Sequence, residues 1–90
     1  MSKRKEAISK FLSDAEGGCP DAQYDVGLMY ATGHGGPQDN VLAHMWFNIA
    51  ALSGVAWARE ERKSLSIDMT AAEIATAQRM ARERTAQLAA

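Results

Sequence analysis

Ninety residues with ten Lys and Arg against eleven Asp and Glu carry a formal net charge of −1. No global field therefore draws the chain to nucleic acid or to an anionic membrane. A chain this short makes one domain, and it buries roughly 60% of its unfolded surface, which leaves a thin core. Apolar residues reach 47% but aromatics only 7%; alanine recurs throughout, a mixture that suits closely packed helices. The start MSKRKEA is basic, but no apolar run of signal-peptide or membrane-span length follows it. A cytoplasmic location is expected, with the mature form of a secreted precursor left open.

In chain order, KRKEAISKFLSDAEGG places Ala7, Ile8, Phe11, Leu12 and Ala15 on one helical stripe, and Gly17 and Gly18 supply a left-handed stop. Cys19, the only cysteine, excludes an internal disulfide and any CxxC motif. Beside Pro20 in a turn, it shows no neighbouring base or helix N-terminus that would activate a thiolate. A second helix follows Pro20, with Asp21 as its expected N-cap, Ala22, Val26, Met29, Tyr30 and Gly33 on its inner face, and Gly33 as its stop. Gly27 in its middle costs about 1 kcal/mol relative to alanine, which predicts close approach by the next helix.

The loop GHGGPQD leads to NVLAHMWFNIAALSG, apolar on two adjoining faces and hence destined to lie between neighbours. Trp46 and Phe47 are expected in the core rather than as a ligand platform, and His44 on the polar edge. A fourth helix over 55–67 has a weaker stripe of Val55, Ala58, Arg62, Leu65 and Met69. Arg62 is expected to lay its methylenes on the core and send its head to water or a carboxylate. Thr70 and Glu73 form a capping box that opens a last helix to about Leu88, with Ile74, Ala77, Ala81 and Leu88 inward and Arg79, Arg82, Glu83 and Arg84 outward.

Comparing the chain with itself reveals a repeat. Ala7, Phe11, Ala15, Gly18 and Ala22 recur as Ala43, Phe47, Ala51, Gly54 and Ala58 at an offset of 36 residues.

The stretch DAQYDVGLMYATGHGGPQDNVLAHMWFNIAALSG resembles the Sel1-like repeat, a relative of the tetratricopeptide repeat (TPR). The matching positions are Ala22, Gln23, Gly27, Tyr30, Gly33, Gly35, Asp39, Ala43, Trp46, Ala50, Ala51 and Gly54, with Val26 in place of the leucine. The resemblance implies an all-α fold, a short α-solenoid of antiparallel helix hairpins with about five helices and a TPR-like right-handed superhelix. It divides 1–90 into a partial N-terminal repeat (1–18), a full repeat (19–54), a partial repeat helix (55–69) and a C-terminal capping helix (70–90) like that of bacterial members. Gly36 stands where the family usually has valine and Asn40 where it often has tyrosine, so the hinge loop is expected to be loose.

The chemistry legible in the residues is sparse. His34 and His44 have no HExxH, paired cysteines or clustered carboxylates with them. GHGG lacks the Gly-Lys-Ser/Thr ending of a phosphate loop, and Asp39 would repel an anion; its better role is to cap the third helix. No catalytic residue, metal or cofactor is expected, and the chain is read as a non-enzyme.

Members of the resembled family act as adaptors that hold other proteins on a face lined by first helices. That implication directs attention to Tyr24, Asp25, Leu28 and Thr32 on the second helix and Trp57, Glu60, Glu61 and Ser64 on the fourth. Their aromatic and aliphatic members either anchor a protein or peptide partner or pack inside the solenoid. The alternative is a structural subunit or a homo-oligomer formed through open solenoid ends. A nucleic-acid binder using Lys3, Arg4, Lys5 and the last-helix arginines is the remaining reading, opposed by the eleven acids.

Overall fold

The computed structural model describes residues 3–89, with side chains from 8 to 87. Five helices account for most of them: α1 (Lys3–Glu16), α2 (Pro20–Thr32), α3 (Asn40–Leu52), α4 (Ala56–Ser66) and α5 (Ala71–Ala89), with no strand among the described residues. The all-α class expected from the sequence is therefore the observed one. The side chains of Ala7 and Leu88, expected on inner faces, and those of Lys3, Arg4 and Lys5 lie outside the described residues.

Helix α3 is the hub. It packs against α2, α4 and α5, while α1 packs against α2. The two apolar faces of α3 explain this position, since Ala43, Met45, Trp46, Phe47, Ile49 and Ala50 are all buried. A cluster of Ala15, Ala22, Val26, Met45, Trp46, Ile49 and Ala81 joins α1, α2, α3 and α5, with Phe11, Leu12, Tyr30, Leu42 and Met80 against it. Alanine at Ala15, Ala22, Ala43, Ala58, Ala77 and Ala81, all buried, lets the helix axes approach where a larger side chain would hold them apart.

Gly27 shows the closest such approach. A Cβ built there would lie 2.6 Å from Cδ1 and Cε1 of Phe47, so the Phe47 ring fills the hollow that the missing side chain leaves. The packing gained offsets the helix-propensity cost of glycine.

The ends of the elements follow local chemistry, with one correction. Helix α2 starts at Pro20, and its N-cap is Cys19 in an extended conformation (φ −74°, ψ 113°), not Asp21. Proline at the first helical position needs no N–H partner, and it forces the preceding residue out of the helical region. Cys19 consequently does stand at a helix N-terminus, exposed, where the sequence suggested only a turn.

Gly33 ends α2 at φ 78°, its N–H bonded to the Met29 carbonyl at 2.8 Å. Asp39 caps α3 as expected, its Oδ1 accepting from the Leu42 N–H at 3.0 Å. Its own N–H donates to the Tyr30 carbonyl at 2.9 Å and fastens the hinge to α2. Val55 and Ile67 flank α4 as its caps. Thr70 and Glu73 form the expected reciprocal box, with the Thr70 N–H to Glu73 Oε1 at 2.8 Å and the Glu73 N–H to Thr70 Oγ1 at 3.1 Å.

At Gly36 the hinge is packed against α1. That residue is buried, and a Cβ there would meet Ile8 Cδ1 at 2.9 Å. Ile8, on the preceding helix, occupies the space that a side chain at 36 would take. Asn40, standing at the family's frequent tyrosine, is half-buried and accepts a hydrogen bond from Gln38.

Candidate interaction face

On α2 the outward row is built upon the core. Tyr24 lies against Phe47, ring centroids 5.9 Å apart and tilted by 44°, so the ring that fills the Gly27 hollow also supports Tyr24. Tyr24, Asp25 and Leu28 are each half-buried and Thr32 is exposed. The Thr32 hydroxyl donates to the Leu28 carbonyl at 2.8 Å and accepts from the His34 N–H at 3.2 Å. Its hydrogen-bonding capacity is thus used within the helix end.

On α4, Glu61 is half-buried while Glu60, Ser64 and Trp57 are exposed, the indole to 64%. One electrostatic coupling links the two rows. The Tyr24 hydroxyl is held above its ordinary pKa by partial burial and then by the negative fields of Glu61 and Asp25. Trp57 and Glu60 border a separate hollow of about 520 Å³ at the α3 to α4 turn, lined also by Ala51, Gly54, Val55, Ala56 and Arg59.

The face is acidic. Asp25 has its carboxyl pushed above the usual range by burial and by neighbouring Asp21, and no Lys or Arg occurs in the sequence between Lys10 and Arg59. Helix α2 therefore has no cation of its own to offset its carboxylates.

Other polar groups took positions the sequence did not reveal. His44, expected on a polar edge, is buried at 2% exposure, because α4 covers that side of α3. Its Nε2 lies 3.1 Å from Ser66 Oγ. That hydroxyl donates its proton to the Arg62 carbonyl at 2.8 Å, so it accepts from His44, which fixes the Nε2–H tautomer. Nδ1 is then a buried acceptor without a partner. Burial, then the Arg62 charge, holds the imidazole below its ordinary pKa.

The Arg62 head donates to Asn48 Oδ1 of α3 rather than to a carboxylate or to water alone. The neutral amide satisfies the guanidinium without bringing a second charge into the contact. Gln23 is likewise buried: its Nε2 donates to the Ala15 carbonyl at 3.2 Å, and its Oε1 accepts from Ser53 Oγ at 3.1 Å, which ties α1, α2 and the end of α3. Arg84, expected to face outward, lies 5.1 Å from the Trp46 ring centroid and 3.1 Å from Glu16. Its stem covers the core edge while its charge closes α5 onto α1.

Among the described residues no three His, Cys, Asp or Glu side chains converge as a metal site would require, and no helix is long and apolar enough to cross a membrane. The family model described as Sel1 repeat matches residues 20–55. Over that span the chain is similar to a Sel1 repeat. No curated protein and no solved structure matches the chain. The matched span contains the α2/α3 hairpin, the Gly33 stop, the Asp39 cap and the buried Gln23. Sel1 repeats are generally protein–protein interaction modules, and the family is typically non-catalytic.

Proposed function

We propose that the chain is an adaptor that binds a protein or peptide partner through the outward face of α2 and α4: Tyr24, Asp25, Leu28 and Thr32 with Trp57, Glu60, Glu61 and Ser64. The observation that carries this reading is the coupling of the two rows, where Tyr24 of α2 lies within the field of Glu61 of α4. The two rows together offer an aromatic group at Tyr24, carboxylates at Asp25, Glu60 and Glu61, and the exposed Trp57 indole. Such a face suits a partner segment bearing Lys or Arg beside apolar side chains. The cations would meet Asp25 of α2, a helix with no cation of its own, together with Glu60 and Glu61, and the aromatic rings supply contact area at low entropic cost.

Self-association is the second reading. Leu52 and Ile67, exposed to 69% and 83%, sit at the far ends of α3 and α4 and are available to a second copy. The nucleic-acid reading has less support, since Arg84 is engaged with Glu16 and Trp46.

The test of the face is capture from native lysate on immobilised wild type and on the Tyr24→Ala, Trp57→Ala double variant, with quantitative mass spectrometry of what is held. Loss of the same proteins from the variant is the expected result. Equal capture by both would overturn the face assignment, and light scattering on the wild type separates self-association from hetero-binding.

A further inference from the structure

We propose that His44, Ser66, Arg62 and Asn48 form a pH-sensitive latch that fastens α4 to α3 and releases α4 when His44 takes up a proton. Helix α4 packs principally on α3, and Ala58 is its only buried side chain among the described residues. The side-chain hydrogen bonds that tie it to α3, beside the half-buried Leu65, are His44 Nε2 to Ser66 Oγ at 3.1 Å, and Arg62 to Asn48. The Ser66 hydroxyl bonds to the Arg62 carbonyl at 2.8 Å, which joins the two ties into one unit. A helix with so little apolar burial belongs to the low-stability end of a fold. Helix α5 remains anchored independently, through Ala77 and Ala81 buried on the far side of the link.

Protonation acts on this unit in two ways. It places a hydrogen on Nδ1, which is buried and has no acceptor within reach, and it sets a second positive charge beside Arg62. No carboxylate compensates: Arg62 is the charge that acts on His44. On α2, Asp25 acts on Tyr24 and Asp21 acts on Asp25, and in the link after α4 Asp68 is exposed. On α5, Glu73 is bound to the Thr70 N–H and Glu83 is exposed. On α4 itself, Glu61 faces Tyr24 and Glu60 is exposed.

The sign follows from the lowered pKa. With α4 docked, His44 resists the proton; with α4 released, it titrates near its ordinary 6.5. Docking is therefore fully stable above that value and weakens as pH falls through it. One pH unit below, the released form gains about tenfold in population if docked His44 stays neutral. Because α4 carries Trp57, Glu60, Glu61 and Ser64, release would also dismantle half of the proposed face, although the latch stands whether or not that face binds a partner.

Hydrogen exchange followed by mass spectrometry at pH 7.5 and 5.5, corrected for intrinsic rates, tests this in the full chain with His34→Gln as background. Protection over 56–66 is expected to fall about tenfold more than protection over 22–30, and His44→Gln, which retains an N–H donor for Ser66, is expected to remove the difference. A uniform loss across all helices, or the same α4 loss in His44→Gln, would overturn the latch. Should His44→Gln fail to fold, ring-nitrogen NMR on the His34→Gln background decides. An Nε2–H tautomer with a midpoint below 6.5 supports the latch, and an Nδ1–H tautomer or a midpoint at or above 6.5 overturns it.

Discussion

Exchanging the carbons of Ile8 and Gly36 is the sharpest perturbation this core offers. Ile8 is 7% exposed, and truncation to alanine removes three buried carbons, at a cost of about 3 kcal/mol from lost transfer energy and the cavity left behind. Gly36→Val adds three carbons in the same place. Its Cβ would lie 2.9 Å from Ile8 Cδ1 and 3.4 Å from Cγ2, so with Ile8 present the change overpacks and costs about 1–2 kcal/mol. Gly36 is not among the positive-φ glycines, so valine meets no left-handed backbone penalty. In the double variant the atoms that clash are the atoms removed, while the Ile8 Cβ, 3.6 Å from the new one, remains as an ordinary contact. The double variant is thus expected to be more stable than Ile8→Ala alone, with a coupling energy of about 2 kcal/mol. Urea unfolding of all four proteins, read through midpoints at constant slope, measures this. Additive costs would refute the claim that Ile8 occupies the position of the family's valine.

Two further substitutions examine the hairpin. Gly27→Ala improves helix propensity yet drives a Cβ to within 2.6 Å of the Phe47 ring; a net loss of about 1–3 kcal/mol is expected in urea unfolding, and a gain in stability would show that the helices can separate at no cost. Asp39→Ala removes the acceptor of the Leu42 N–H and is expected to lower stability by about 1 kcal/mol, with Asp39→Asn restoring most of it in the same assay.

The helices, their order and most of their ends were legible in the chain because they rest on local chemistry. A stripe at helical spacing, a glycine stop at Gly33, the Asp39 cap and the Thr70 to Glu73 box are each read from a few neighbouring residues. The close approach at Gly27 was legible too, since a glycine inside a helix needs a packing reason. The start of α2 was misplaced by one local competition, between Asp21 as a cap and Pro20 as the first helical residue, which proline won.

Partners far apart in sequence were decided by the tertiary structure. The apolar pattern made α3 central, but only the arrival of α4 turned His44 from an edge residue into a buried one hydrogen-bonded to Ser66, 22 positions away. Helix spacing put Arg84 outside, whereas docking of α5 placed it over Trp46 and against Glu16, 68 positions away. The hinge looked loose because Gly36 has no side chain. Which residue fills that space depends on where α1 comes to rest, and the side chain found there is Ile8. The sequence by itself determined that this chain makes helical hairpins, one of them similar to a Sel1 repeat; the docking of helix on helix decided which polar groups lose water, and with them where charge and pH can act.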